Sequence, residues 1–441
     1  MVSKKNATRI DRRGFLKRTA LAAGAAAGFP YIVPGSALGR DGTIAPSNRI
    51  TLGFIGIGKM AKGHLGSFLN DRGVQVLAIC DVERVRREAQ AKRAEEFYAH
   101  REGASSYRGC ETYHDFRDLC ARKDIDAVLV ATPNHWHALA VIEAARNGKD
   151  LYCEKPLARA IGETQAMVKA VRRYGRILQV GSQQRSDTAF RTACELVRNG
   201  RIGKVHTVYV NVGGPPEEDY FPAEPVPDGL DWDFWLGPCP WRPYSSVLAP
   251  PESYDGWARW RYYRPYAGSG MTDFGAHHYD IAQWGLGTDD TGPVEVHYPD
   301  GKEYTRLTYV YANGIKMIHG GGVDGSAVQW IGEDGWVAVN RGQFLETEPA
   351  HLKHEVIGPN EIRLYNSPNH KNNWLECVRN RQEPICPVEI GHHTATVCHI
   401  GNIAYRLKRS LRWDPDQEVF VNDAEANRLL SFPMREPWQI T

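Results

Sequence analysis

The 441-residue chain has no Cys-x-x-Cys pair among its nine cysteines and no internal repeat or long low-complexity stretch. Beyond its first forty residues it has no apolar run approaching the roughly 18 residues of a membrane-spanning helix. The missing cysteine pairs speak against a dithiol redox motif and a cysteine-built zinc site. Nine is also an odd number, and Cys80, Cys110, Cys120 and Cys153 lie in apolar or helical-looking stretches, so they read as buried free thiols. Charge of one sign is scarce as well: 54 Lys/Arg face 52 Asp/Glu, a formal net charge of +2. Residues 1–40 hold eight of the basic residues against the single acid Asp11, which leaves a slightly acidic body of 46 basic and 51 acidic residues. That balance carries no basic footprint for nucleic acid.

Arg12-Arg13-Gly14-Phe15-Leu16-Lys17 precedes an Ala-rich run from Thr19 to Val33 and then Pro34-Gly35-Ser36-Ala37-Leu38-Gly39. A charged start, a short apolar middle and small residues at the end are the layout of a secretory signal, and paired arginines point to the twin-arginine (Tat) route. Residues 1–40 are therefore expected to be a signal peptide. The protein is expected to be periplasmic or otherwise exported, with the Tat translocon as a transient partner and no stable membrane insertion after processing. A basic amphipathic helix and an uncleaved anchor are the alternatives.

Ile50-Thr51-Leu52-Gly53-Phe54-Ile55 is a short apolar run ending on Gly56-Ile57-Gly58-Lys59-Met60-Ala61, the pattern of a buried parallel strand feeding a tight turn and a helix. Gly56 permits the turn, Gly58 lets backbone approach a pyrophosphate, and Ala61 lets the helix pack closely, its N-terminal N–H groups facing the phosphates. Gly56, Ile57, Gly58, Lys59 and Met60 are thus cofactor candidates. A second strand, Val74 to Cys80, ends at Asp81, 25 residues after Gly56, where a carboxylate accepts ribose hydroxyls and repels the extra phosphate of NADP. NAD is favoured; Arg84 and Arg86 keep NADP open, and Asp81 can equally be a plain helix cap. An exported protein meets no free nicotinamide pool, so such a cofactor is expected to be carried along and recycled.

A third strand, Ala127 to Ala131, opens into Thr132-Pro133-Asn134-His135-Trp136-His137, whose polar groups face the ligand crevice of an open sheet. Thr132, Asn134 and His137 are candidates there, while His135 reads as a loop-backbone partner. A fourth strand, Asp150 to Cys153, stops at Glu154-Lys155-Pro156, where proline holds Lys155 out of helical geometry and fixes the exit of its ammonium. Further on, Gly270-Met271-Thr272-Asp273-Phe274-Gly275-Ala276-His277-His278-Tyr279-Asp280 reads as a helix that puts Asp273 and His277 on one face. His277 can take a hydroxyl proton while hydride leaves the same carbon, Asp273 can hold a neighbouring hydroxyl, and Lys155 can polarise the developing carbonyl. The plainer alternative makes Asp273 a helix cap and His277 a satisfied interior ring. Asp280 can orient His277 or cap a charge. A metal held by His277 and His278 with His392 or His393 is a further alternative; nothing in the spacing demands it, and no metal is expected.

Between Pro215 and Pro265 lies a Pro- and aromatic-rich insertion with five tryptophans, Trp232, Trp235, Trp241, Trp257 and Trp260. Flat rings suit the apolar side of a sugar, so Trp260, Arg261 and Tyr263, just before the helix, are substrate candidates, with His278 beside them. Loop packing or subunit contact is the expectation for most of the other rings.

With Gly56-x-Gly58, Ala131-Thr132-Pro133-Asn134-x-x-His137, Glu154-Lys155-Pro156 and Asp273-x-x-x-His277 in hand, the chain resembles the Gfo/Idh/MocA oxidoreductases over nearly everything after residue 48. The resemblance implies an α/β protein: a Rossmann domain with a parallel sheet, set at residues 48–165, then an α/β domain with an open, mostly antiparallel sheet at 166–441. It implies NAD(P) chemistry on a sugar, polyol or derivative, with Lys155, Asp273 and His277 as the catalytic set. It places Gln183 and Glu154 with the cofactor and Arg185 with the substrate, and gives a homodimer or homotetramer through the open sheet face. Strands are expected near 205–212, 294–298, 304–311, 315–319, 327–331 and 336–339, and a helical tail over 372–409 that packs near the first domain. Redox-neutral glycoside cleavage by oxidation, elimination and re-reduction is the alternative activity, and a sugar-binding relative without turnover is the third.

Overall fold

Six short strands, β1 (Ile50–Ile55), β2 (Val74–Cys80), β3 (Glu111–Tyr113), β4 (Ala127–Val130), β5 (Asp150–Cys153) and β6 (Leu178–Val180), apolar for the most part except the exposed edge strand β3, line up in one parallel sheet in the order β3-β2-β1-β4-β5-β6. The computed structural model describes residues 44–218 and 220–440; the expected signal peptide lies outside the described residues. The chain divides at Arg49, and the unit from Ile50 onward carries both sheets. Every residue of β4 and β5 is buried, because helices cover both faces of a parallel sheet. Those helices include α1 (Lys59–Asn70), α2 (Arg84–Glu102), α3 (Phe116–Ala121), α4 (Asn134–Arg146) and α5 (Ile161–Arg173). The strand order reverses between β1 and β4, which opens a crevice beyond their carboxyl ends. The boundary expected at residue 165 falls inside α5, and the parallel sheet continues to Val180.

The second sheet has nine strands in the order β13-β12-β11-β7-β10-β9-β8-β14-β15. These are β7 (Val205–Val210), β8 (Glu295–His297), β9 (Thr308–Val310), β10 (Lys316–His319), β11 (Val328–Gly332), β12 (Gly335–Asn340), β13 (Phe344–Glu348), β14 (Leu411–Asp414) and β15 (Val419–Phe420). Neighbours run antiparallel except β7 and β10. In β7 Val208 and Val210 are buried while His206, Thr207 and Tyr209 are not, the period-two signature of a sheet covered on one face. That face meets α6 (Thr188–Arg198) and α9 (Gly275–Leu286), where the Trp330 indole N–H donates to the Ala282 carbonyl at 3.3 Å. Strands β13, β14 and β15 fall outside the expected set; each is short and joins an edge of the sheet.

After the short helix α7 (Trp232–Leu236), the helix expected from Gly270 is interrupted at Phe274, giving α8 (Gly270–Asp273) and α9. Eleven of the twelve residues of α9 are buried, which is why it shows no amphipathic stripe. The expected tail helix is two helices, α10 (His370–Asn380) and α11 (Val388–Leu407). Fully buried Trp374 docks α10 onto the first domain, its ring 5.8 Å from Phe68 and 5.6 Å from Tyr152. All nine cysteines are buried and unpaired. Among the described residues no helix is long and apolar enough to cross a membrane.

Candidate active site

A cavity of about 580 Å³ lies at the reversal of the parallel sheet and reaches from the Gly56 turn to His277. Its floor follows from backbone chemistry. Gly56 sits at φ +79°, and a Cβ there would stand 2.8 Å from Thr132, so only glycine fits between β1 and the end of β4. At Gly58 the nearest atom to an added Cβ is 3.9 Å away, so the space before the first turn of α1 is open. No side chain caps α1, which leaves its N-terminal N–H groups for a ligand anion. Gly56, Gly58, Lys59 and Met60 line the cavity. The Ile57 side chain is fully buried; its N–H donates to Asp81 Oδ2 at 2.9 Å, while Glu83 N–H donates to Oδ1 at 3.0 Å. Asp81 therefore braces the turn and also presents its carboxylate to the cavity.

The polar wall beyond it comes from Thr132, Asn134, His137, Glu154 and Gln183, all of which line the cavity. His137 faces the carbonyls of Thr132 at 2.9 Å and Pro156 at 3.0 Å, so it joins the exit of β4 to the exit of β5. His135 bonds the Trp235 carbonyl at 2.9 Å, the backbone role expected of it. Glu154 is buried, and burial works against its charge, yet His64, donating at 2.7 Å, and Lys155 outweigh that and hold the carboxyl below its ordinary range. Gln183 donates to Glu154 Oε1 at 3.1 Å. Sequence patterns gave no sign of His64, which lies mid-helix in α1 and gains its role only from the facing strand.

Lys155 Nζ donates to Asp273 Oδ1 at 2.7 Å and to the Asp273 carbonyl at 2.9 Å, joining the two domains. Arg261 Nε lies 3.2 Å from Asp273 Oδ2. Burial raises the cost of the Asp273 charge, but Lys155 and Arg261 together prevail and hold its carboxyl below the ordinary range. His277 is buried with Nδ1 unpartnered; burial, reinforced by the charges of Lys155 and Arg341, holds it well below an ordinary imidazole. The ring is therefore held neutral, the form that can accept a proton from a hydroxyl, though burial and the neighbouring cations make it a weaker base than a free imidazole.

Trp260 and Arg261 line the cavity, whereas Tyr263 turns away onto Phe221 at 5.7 Å and Tyr266 at 5.3 Å. His278 projects from α9 away from the cavity, its Nδ1 bonded to the Asn211 carbonyl, and burial pulls it down to about 4. Arg185 is 1% exposed and locked by Asp280 at 2.8 Å and Asp289 at 2.7 Å. The structure brings none of these three side chains to the cavity, because each is taken up by partners that no local pattern reveals. Asp280 caps the Arg185 charge and does not orient His277. Nor do His277 and His278 gather with His392 or His393: the metal-spaced group found among the described residues is His392, His393 and Glu418.

Asp280→Ala strips a wholly buried arginine of its bidentate partner and is expected to cost about 3–5 kcal/mol of stability with KM unchanged. Urea denaturation checks this, and a loss below about 1 kcal/mol, the size of an exposed ion pair, contradicts it.

The insertion supplies further residues that sequence reasoning missed. Glu252 pairs with Lys62 of α1 at 2.6 Å and with Arg86 of α2 at 3.3 Å, and the Gly229 carbonyl accepts from Arg84 N–H at 2.7 Å, so the segment lies across the nucleotide side of the cavity. Trp257 stacks against Arg261 at 4.7 Å. Most other rings pack among themselves, Trp232 on Trp235 at 4.7 Å for example, as loop packing requires. Arg341, from the β12–β13 turn, also reaches the cavity, and the Gln184 amide, turned so that its oxygen accepts from Arg341 Nε at 3.0 Å and its nitrogen donates to the His277 carbonyl at 3.1 Å, satisfies both neighbours.

Residues 50–182 match the model of the Gfo/Idh/MocA oxidoreductase family's NAD-binding Rossmann fold, and residues 214–440 that of its C-terminal alpha/beta domain. Among curated proteins, the chain is 32% identical over 176 residues to the uncharacterized oxidoreductase YrbE of Bacillus subtilis, covering 40% of this chain and 48% of that protein. It is 31% identical over 170 residues to inositol 2-dehydrogenase of Salmonella typhimurium (37% and 47% covered). It is 34% identical over 222 residues to a glycosyl hydrolase family 109 protein of Shewanella baltica (46% and 42% covered). The chain thus spans about half or less of these relatives' length. Among solved structures, aldose-aldose oxidoreductase from Caulobacter crescentus shares the fold at a TM-score of 0.56 and 20% identity, with 82% of this chain and 99% of that one covered.

Proposed function

The chain belongs to the Gfo/Idh/MocA oxidoreductase family, and from that premise we propose that it is an exported enzyme that oxidises a secondary hydroxyl of a sugar, polyol or derivative with tightly held, recycled NAD. The observation that carries the reading is the meeting of Lys155, Asp273, Arg261 and His277 at one end of a cavity whose other end is the Gly56–Gly58 turn. The turn, the uncapped N-terminus of α1 and the open space at Gly58 fit a dinucleotide pyrophosphate. Bound there, NAD supplies a hydride acceptor. His277 takes the hydroxyl proton as the carbon is oxidised. The Lys155 ammonium steadies negative charge building on that oxygen, and Asp273 fixes the ammonium in place. Trp260, Trp257 and Arg261 offer a ring face and a guanidinium to the substrate.

Selection of NAD over NADP is favoured by acids where a 2′-phosphate would lie. Asp81, Glu83 and Glu252 line that part of the cavity, and Arg86 is committed to Glu83 at 2.6 Å and to Glu252. Retention is favoured by the insertion lying across the nucleotide side. A dimer or tetramer through the half-covered second sheet belongs to the same proposal. The glycosyl hydrolase family 109 relatives favour a second reading, in which the same oxidation acidifies a neighbouring C–H, a glycosidic bond breaks by elimination, and the hydride is returned.

Protein purified and gel-filtered without added nucleotide is expected to retain NAD and, by NMR on a panel of sugars, polyols and glycosides, to form a keto product. Release of aglycone with no net redox change selects the second reading. Empty protein with weak, millimolar NAD affinity contradicts both.

A further inference from the structure

Away from the nucleotide cavity, two histidines of α11 and a carboxylate from the turn of the β14–β15 hairpin converge. One ligand atom each of His392, His393 and Glu418 lies within 4.8 Å of the others, and none of the three lines the cavity described above. The hydrogen bonds behind them fix what each presents. His393 Nδ1 lies 2.7 Å from the Asp289 carbonyl, which only accepts, so Nδ1 carries the proton and Nε2 a lone pair. The Thr164 hydroxyl donates to the Ile161 carbonyl at 2.8 Å and therefore accepts from His392 Nδ1 at 2.7 Å, leaving His392 Nε2 as a second lone pair. Glu418 Oε2 accepts from Gln165 at 2.8 Å, which turns Oε1 toward His392 Nε2. Two imidazole nitrogens and a carboxylate oxygen this close together form a donor set that a cation can bridge in place of a proton between His392 and Glu418. Outer partners that lock Nδ1–H and free Nε2 are the arrangement that metal-binding histidines require.

We propose that His392, His393 and Glu418 bind one Zn²⁺, with water in the fourth position. Two imidazoles and one carboxylate are a zinc donor set, whereas Mg²⁺ and Ca²⁺ prefer all-oxygen shells. The site is shielded but not sealed, with the His392 side chain 5% and that of Glu418 23% exposed, which leaves room for the water. Thr164 and Gln165 belong to α5, so the ion ties the C-terminal hairpin to α11 and, through the outer bonds, to the helix following the Lys155 segment.

The test uses the full chain, stripped with a chelator, reloaded with ZnCl₂ and gel-filtered. Elemental analysis is expected to give one zinc per chain. Co²⁺ in its place is expected to show the intense visible bands of a tetrahedral site, and Zn²⁺ to raise the melting temperature. Glu418→Gln and His393→Ala are expected to lose all three responses while keeping the wild-type circular dichroism. Zinc retained by both variants, or a wild type with no bound zinc, no cobalt bands and no melting shift, overturns the assignment and leaves a proton between His392 and Glu418. Should either variant fail to fold, stoichiometry and cobalt spectrum of the wild type decide alone.

Discussion

Lys155→Met is expected to lower kcat/KM by about 10²–10³-fold, the cost of removing one fixed donor from a site of developing negative charge. Its side chain is only 16% exposed and bonds both the carboxylate and the carbonyl of Asp273, so the substitution removes a charge and also releases the group that ties the two domains across the site. Asp273 should respond in a definite direction. Burial already opposes its ionisation and Lys155 is the first of the cations that prevail over it, so its carboxyl should titrate higher in the variant. The pH profile of the residual activity should accordingly lose more at its acidic end than that of the wild type. Nucleotide retention should persist, because the Gly56 turn and Asp81 lie at the other end of the cavity. Steady-state kinetics with a nucleotide assay of the gel-filtered variant separates these effects. Unchanged kcat/KM would remove Lys155 from the catalytic set, and the reading of a sugar-binding relative without turnover would need wild-type protein that forms no product at all.

Acidification below pH 6.5 is expected to destabilise the native protein steeply, because its interior holds several histidines as neutral rings. Burial pulls His135 down to about 3 and His278, His370 and His399 to about 4. Unfolded, each ring takes its proton near 6.5, so between 6.5 and the folded value the unfolded chain binds more protons than the native one. The native state therefore loses stability as pH falls through that window, and the loss is complete only below the folded values. Each ring costs about 1.4 kcal/mol for every pH unit that separates its folded from its unfolded titration, so the four together amount to something on the order of 10 kcal/mol, comparable to the whole stability of an ordinary domain. Glu83, Glu163 and Asp280, pushed up by burial, act in the opposite sense, but burial also lowers His137, His277, His319 and His393, so the histidines outnumber them. Urea midpoints recorded by tryptophan fluorescence should fall steeply from about pH 7 to about pH 5. Equal midpoints at the two ends would refute the balance.

The parts of the site legible in the sequence are those fixed by a few neighbouring residues. Gly56 is required by a positive φ and a close strand, Lys155 by a strand exit before proline, and Asp273 with His277 by a four-residue helical spacing that survives the break at Phe274. Arg185, Tyr263 and His278 stand near the site in sequence but not at the cavity, because proximity in sequence says nothing about which way a side chain points. Asp280 and Asp289 took Arg185, the ring cluster around Phe221 took Tyr263, and the Asn211 carbonyl took His278.

What the chain determined by itself is the order of elements, the glycine turn and the residue types available for hydride and proton chemistry, since these follow from backbone sterics and short-range periodicity. Folding alone decided which charges were neutralised and which were left facing a ligand. It brought His64 to Glu154, Arg341 to His277, Glu252 across the nucleotide side of the cavity, and Glu418 to two histidines of α11. Those pairings join residues distant along the chain, and their energies depend on burial and direction, which exist only once the two sheets and their helices have closed on one another.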